Sequence, residues 1–186
     1  MLNPRLASRY AKSLIDMAVE QNVLEDTLKD VQLIDATLRA NRELTVVLNS
    51  PVIKSDKKDA IIEAVFTTHL TKLTRAFIKL LTLKGREANL GEMATAFMEQ
   101  YRTLKNISQV RLVTAASVST EFLESIRAKV AAALPGQQIE MTTEVKPELI
   151  GGFQLEMGDK LVDASIRRDL NDIKKQFLEN LYVPKI

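Results

Sequence analysis

The stretch from Leu149 to Leu170 constrains the fold most, because two opposite side-chain periods meet within it. Phe153, Leu155 and Met157 alternate with Gln154 and Glu156, the two-residue period of a half-buried strand. Gly158-Asp159 is a hairpin turn pair, and Val162, Ala164 and Ile166 alternate on the return. From Asp169 the spacing becomes helical, with Leu170, Ile173, Phe177 and Leu181 on one face. A chain containing this segment cannot be all helix: it needs a sheet that accepts a hairpin, and a helix that leaves it.

The residues upstream follow a different rule. Positions 1–105 read as almost entirely helical. Asn3-Pro4 combines a capping residue with proline at the first helical position, and the helix it opens runs to about Asn22. Leu24, Leu28, Val31, Ile34 and Leu38 mark a second helix ending near Asn41. A short helix through Leu48 is stopped by Asn49-Ser50-Pro51. Ser55 is placed to cap a fourth helix ending near His69, and 70–84 form a very apolar fifth with Gly85 as its C-cap. Asn89 with Glu92 resembles a capping box for a sixth, which aligns Met93, Phe97, Tyr101 and Leu104.

The period switches near Asn106. Gln109 to Ala115 is rich in β-branched residues, as strands are. A helix with Phe122, Ile126, Val130 and Ala133 on one face follows and is broken by Pro135-Gly136. Ile139, Met141, Thr143 and Val145 then alternate with polar neighbours. The expected class is α+β, mostly helical: a six-helix bundle over 1–105, then a small α+β domain over 106–186 with a β-hairpin and flanking helices.

Composition removes several chemistries. The chain has 186 residues and a net charge of +2, with 16 basic and 13 acidic side chains in the first 105 residues and 10 and 11 in the rest. Neither part shows the basic face, interleaved with aromatics, that a nucleic-acid binder uses. There is no cysteine, which removes disulfides, thiolate nucleophiles and Cys-based zinc sites. No apolar run approaches the roughly 18–20 residues that span a bilayer, and polar residues from Asn3 onward leave no signal-peptide core. We therefore expect no direct membrane insertion. The single histidine, His69, cannot form a cluster and reads as structural. Carboxylates such as Glu25-Asp26 read as a solvated helix face.

Gly151-Gly152 and Gly158-Asp159-Lys160 invite comparison with a phosphate loop. Such a loop places four residues between its glycines, then lysine and Ser/Thr directly after the second. Here five residues separate Gly152 from Gly158, Asp159 follows the glycine, and Leu161 follows the lysine. The intervening residues alternate as a strand does, so a hairpin is expected and no cofactor.

Two helices carry more apolar surface than a simple bundle helix needs. On the first, Leu6, Ala7, Tyr10, Ala11, Leu14, Ile15, Met17 and Ala18 fill about half the circle; an apolar stripe only somewhat wider than about 100° meets a core. On the fifth, Leu73, Ala76, Phe77, Ile78, Leu80, Leu81 and Leu83 cover more than half. Either both helices are central, or part of each face is left for a partner; the alanines are small enough to admit a foreign helix.

Three motifs carry a family resemblance. Ala7-Ser8-Arg9-Tyr10-Ala11-Lys12-Ser13-Leu14, then Leu48-Asn49-Ser50-Pro51-Val52-Ile53 with Lys57-Lys58, and finally Leu149-Ile150-Gly151-Gly152 with Gly158-Asp159 and Val162-Asp163-Ala164-Ser165-Ile166 resemble the delta subunit of the bacterial F-type ATP synthase, related to the mitochondrial oligomycin-sensitivity-conferring protein. The likeness spans the whole chain; Ser13 stands where alanine is common and Arg168 where a smaller residue is common. The resemblance implies a non-catalytic stator subunit at the cytoplasmic side of the bacterial membrane. It also implies alpha-subunit N-terminal helices bound by the first domain and the C-terminal end of the b-subunit stalk bound by the second. On the family's pattern the alpha-helix groove falls on Ala7, Tyr10, Ala11 and Leu14, with Phe77, Ile78 and Leu81 opposite. The rival expectations are a helical adaptor outside the ATP synthase and an RNA-binding factor.

Overall fold

A computed structural model describes residues 4–66, 70–158 and 160–179. Asn3, His69, Asp159 and Leu181, which the sequence reading invoked, lie outside the described residues. The fold is mostly helical with one small four-stranded sheet, an α+β arrangement. The chain divides into two compact units, Met1–Leu104 and Lys105–Ile186.

The first unit contains α1 (Pro4–Glu20), α2 (Leu24–Ala40), α3 (Arg42–Asn49), α4 (Ser55–Phe66), α5 (Lys72–Leu83) and α6 (Leu90–Leu104), with a 3-10 turn, Glu87–Asn89, before α6. Local chemistry sets the breaks. Asn22 adopts φ 55°, a left-handed conformation that asparagine tolerates. Its N–H donates to Val19 O at 3.1 Å and Val23 N–H donates to Ala18 O at 2.9 Å, closing α1 with a Schellman pattern. The same pattern closes α5: Gly85, at φ 63°, donates to Thr82 O at 3.0 Å, and Arg86 N–H donates to Leu81 O at 2.9 Å. Gly85 therefore sits one residue beyond the formal cap, Lys84. Ser55 is the first residue of α4 rather than its cap. Thr71 caps α5, its Oγ1 accepting from Thr74 N–H at 3.4 Å.

α1 packs chiefly on α6, where its alanines give the backbones close approach. Gln100 Nε2 reinforces that seam by donating to Ser8 O at 2.9 Å. Leu14, Val31, Ile34, Phe77, Ile78, Met93 and Phe97 are buried together with Ala11 and Ala94. The void they leave is only about 20 Å³. Two polar ties cross the core. The buried carboxylate of Asp30 on α2 accepts from Thr71 N–H at 2.8 Å and from Thr71 Oγ1 at 2.7 Å. Lys58 on α4 donates to Leu48 O at 2.8 Å and to Glu87 Oε1 at 2.7 Å, and both side chains are buried.

The second unit contains β1 (Ile107–Thr114), α7 (Thr120–Ala133), β2 (Gln138–Val145), β3 (Gly152–Met157), β4 (Lys160–Ser165) and α8 (Ile166–Glu179). The sheet order is β2-β1-β3-β4. β1 and β2 are parallel with α7 as the crossover, β3 is antiparallel to β1, and β3–β4 is the expected hairpin. One face carries Val110, Leu112 and Leu155, which pack with Ile126 and Val130 of α7. An edge-to-face pair, Phe122 on Phe153 with ring centroids 6.0 Å apart, extends that layer. The other face is largely polar: Arg111 lies between Glu144 (2.5 Å) and Glu156 (3.1 Å). The hydrogen bond from Arg111 holds the Glu144 carboxyl below its usual range, with the arginine charge adding to it. α8 begins at Ile166, three residues earlier than the helical spacing suggests, because Ser165 and Asp163 cap it.

Candidate functional site

The sequence-predicted groove residues are mostly interior. Ala7, Ala11 and Leu14 of α1 and Phe77, Ile78 and Leu81 of α5 are buried by the first unit itself, so they form its core rather than an open groove floor. On α1 the reason is α6, on which that helix chiefly packs; α5 is covered by α4, α2 and α1. Tyr10 alone among the seven reaches the surface; it is half-buried and packs edge-on against Phe77 with centroids 6.4 Å apart. Half-buried Leu6 and Met17 continue the Tyr10 stripe along α1, at helical spacing. On α5 the exposed apolar positions are Ala76, Leu80 and Leu83. These outward residues belong to the same wide apolar arcs that the wheel identified, but the wheel could not separate inner from outer members.

The second unit has a more open apolar surface. Along α8, Ile166, Leu170, Ile173 and Phe177 are 47%, 51%, 48% and 81% exposed, and Leu178 beside them is exposed as well. Their spacing of four, three and four residues is that of a coiled-coil seam. A soluble helix normally turns such a stripe into its own core. None of the α8 side chains from Ile166 to Leu178 is buried.

The Leu149–Ile166 signature builds the root of this helix. Leu149 is buried, while Ile150 is exposed and held at φ 66°, ψ −41°, a strained conformation for a β-branched residue. At Gly151 a Cβ would press on the Cδ1 end of the exposed Ile166 side chain, which would have to shift. Gly152 follows because its φ is 74° and a Cβ would strike the backbone carbonyl of Ala164. Asp163 accepts from Ser165 N–H at 2.9 Å and from Gln154 Nε2 at 2.7 Å. Hydrogen bonding from Ser165 is the main cause that keeps the Asp163 carboxyl below the usual aspartate range. Buried Ser165 then accepts from Arg168 N–H at 3.3 Å at the first turn of α8. Arg168 also donates to Asp163 O at 2.6 Å and lies 3.6 Å from Asp172. Gly151 and Gly152, two of the glycines that invited comparison with a phosphate loop, thus lie with Asp163 and Ser165 at the root of α8.

Among the described residues no cluster of three or more His, Asp or Glu side chains could hold a metal ion. Among the described residues no helix is long and apolar enough to cross a membrane.

The chain matches the ATP synthase delta (OSCP) subunit family over residues 6–177. It belongs to that family. An ATP synthase subunit delta from Cytophaga hutchinsonii is 34% identical over 181 residues, covering 97% of this chain and 98% of the relative. Another from Christiangramia forsetii is 33% identical over 187 residues and covers both chains in full. A chloroplastic ATP synthase subunit delta from Emiliania huxleyi is 30% identical over 173 residues, 93% of this chain and 96% of the relative. The fold is shared with a chain in the cryo-EM structure of the Toxoplasma gondii mitochondrial ATP synthase hexamer, with TM-score 0.71, 22% identity, and coverage of 95% of this chain and 99% of that one. As a delta (OSCP) subunit the protein is a non-catalytic stator component of the ATP synthase, linking its catalytic head to the peripheral stalk and peripheral to the membrane.

Proposed function

We propose that the protein joins two partners through separate surfaces: alpha-subunit N-terminal helices on the first unit, and the C-terminal end of the b-subunit stalk on the second. The observation that carries this reading is the uncovered coiled-coil-spaced stripe on α8. A stalk helix laid on Ile166, Leu170, Ile173 and Phe177 would satisfy it by helix-against-helix packing. On the first unit, the six helices act as one bundle and an alpha-subunit helix lies across Tyr10 and the outward residues of α1 and α5. The buried Ala7, Ala11, Leu14, Phe77, Ile78 and Leu81 support that surface from below. We place the protein at the cytoplasmic side of a bacterial membrane, held there by its partners.

The role has a physical logic. A stator joint resists repeated torque, so its dissociation must be slow. Two contacts within one complex gain from effective concentration, roughly 10²–10⁴ over either contact alone. Apolar contacts also weaken little with salt, unlike exposed ion pairs.

The test is calorimetry on the full chain. A peptide from the b C-terminal end binds with negative ΔCp, the mark of apolar burial. Phe177→Asp lowers that affinity at least tenfold and leaves the alpha-peptide affinity unchanged. Equal binding of the b peptide by the variant would refute the α8 assignment.

A further inference from the structure

We infer that the α1/α5 surface reads charge as well as apolar shape: Lys72, Arg75 and Lys79 of α5 form a basic wall that selects an alpha-subunit helix with acidic side chains along one flank. The inference rests on the reading that an alpha-subunit N-terminal helix lies on this surface, and it adds the chemistry and the rotation of that helix. The 12 residues of α5 include these three cations and no acidic group. All three are exposed.

The helical period sets where these charges lie. Phe77, Ile78 and Leu81 are buried on the inner side of α5, and Ala76, Leu80 and Leu83 form its outward apolar row. The edge-to-face contact of Phe77 with Tyr10 brings α1 alongside. On a helical wheel Lys72 and Lys79 fall within about 60° of Ala76 and Leu83, and Arg75 lies about 40° further round. The basic row is therefore the outer border of the apolar one. The border on α1 differs. Beyond Leu6, Tyr10 and Met17 its exposed charges are Arg9, Asp16 and Glu20, two acids against one base. Behind the basic row, Arg75 and Lys79 line a groove with Asp59 and Glu63 of α4, which offset part of their charge; Lys72 stands outside that groove. The docking surface is thus basic along α5 and mixed along α1.

A guest helix seated on Tyr10 and the Ala76–Leu80–Leu83 row turns one flank to α5 and the other to α1. Asp or Glu on the flank facing α5 meets opposite charge; turned the other way, the same residues meet Asp16 and Glu20. The asymmetry fixes which way round the helix sits and rejects helices with basic flanks, while the apolar row supplies the contact that outlasts salt. One exposed ion pair changes affinity by a factor of only about 1.5–5, so the three cations select the guest and do not anchor it. A basic amphipathic face also suits an anionic membrane surface. The geometry favours a helix, because the apolar row on α5 is narrow and continues onto α1, as a helix-in-groove contact requires.

The experiment is a calorimetric titration of the full chain with a synthetic peptide of the alpha-subunit N-terminus, and with the same peptide carrying Asn and Gln in place of Asp and Glu. Titrations run at about 0.1 M and about 1 M salt, where charges are screened beyond about 10 Å and about 3 Å. At the lower salt the native peptide binds about fivefold more tightly than the amide peptide, and at the higher salt the two converge. The variant Lys72→Gln/Arg75→Gln/Lys79→Gln loses that factor toward the native peptide and nothing toward the amide peptide, the coupling expected of a direct charge contact. Arg5→Gln with Lys12→Gln, which removes exposed cations of α1 away from Tyr10, changes either affinity by less than about twofold. Equal binding of the two peptides, or an equal loss in the α5 and α1 variants, would overturn the inference. So would unchanged peptide affinity in an α5 variant that loses binding to phosphatidylcholine vesicles containing phosphatidylglycerol. Failure of the underlying reading looks different: the native peptide does not bind, or binds Tyr10→Asp as well as the parent, and both claims fall. Binding that depends on Tyr10 but ignores the three α5 cations at both salts leaves the reading in place and overturns this inference alone.

Discussion

Lys58→Met tests whether the first unit depends on its buried ion pair. Methionine keeps an unbranched side chain of similar length, so packing changes little. The electrostatic change is large. Glu87 stays buried and loses its cation, and Leu48 O, one of the last carbonyls of α3, loses its donor. Breaking a buried pair by removing one partner costs about 3–5 kcal/mol, much of it the penalty of the charge left behind. Against a native stability of roughly 5–15 kcal/mol, that is a third or more of the total for many domains. The double variant Lys58→Met with Glu87→Leu removes the stranded charge and leaves Leu48 O as the one group still without its donor, a cost of about 1–3 kcal/mol, so it recovers part of the loss. Urea unfolding followed through the amide resonances of α4 and α6 reads the first unit alone, which matters in a chain of two units. A cost below about 1 kcal/mol for Lys58→Met, or a double variant as unstable as the single one, would refute the reasoning.

Three further changes probe other parts of the account. Gly152→Ala places a Cβ against the Ala164 carbonyl at φ 74°; left-handed strain of about 1–2 kcal/mol and overpacking of about 1–3 kcal/mol together destabilise the second unit by roughly 2–5 kcal/mol, read from the denaturation midpoint of its sheet amides. The Asp163 carboxyl is lowered in the folded protein, so its contribution is complete above the unfolded aspartate value and is lost as the pH falls below the ordinary range through the native value; Asp163→Asn removes this part of the acid limb in pH-dependent unfolding. Tyr10→Asp loses an edge-to-face pair worth about 0.5–1.5 kcal/mol and leaves the helical circular dichroism intact, while lowering alpha-peptide affinity in calorimetry.

Much of the fold was legible because period and punctuation agree. Asn22, Gly85 and Pro51 stop helices where the sequence reading stops them, to within a residue or two. The β3–β4 hairpin is where Phe153, Leu155 and Met157 predicted it. The start of α8 was misplaced because its cap, Ser165, belongs equally well to the alternation of β4; only the hydrogen bonds show that it serves both. The two helices to which the candidate groove was assigned were legible, but which of their apolar side chains face outward was not. A wheel gives the width of an apolar arc and not its occupant, and on α1 the occupant of the alanines is α6. The Lys58–Glu87 pair was invisible for a related reason: the residues lie on separate elements, and nothing in either local sequence marks them as buried. The open stripe on α8 was visible as a helical period, yet its exposure could be known only from the packing of the second unit.

The central claim is that one chain holds two partners at once on independent surfaces. Native mass spectrometry of the full chain mixed with an alpha N-terminal peptide and a b C-terminal peptide tests it directly. The account predicts a ternary complex in which neither peptide displaces the other. Competition between the peptides, or failure of either to bind the intact chain, would contradict it.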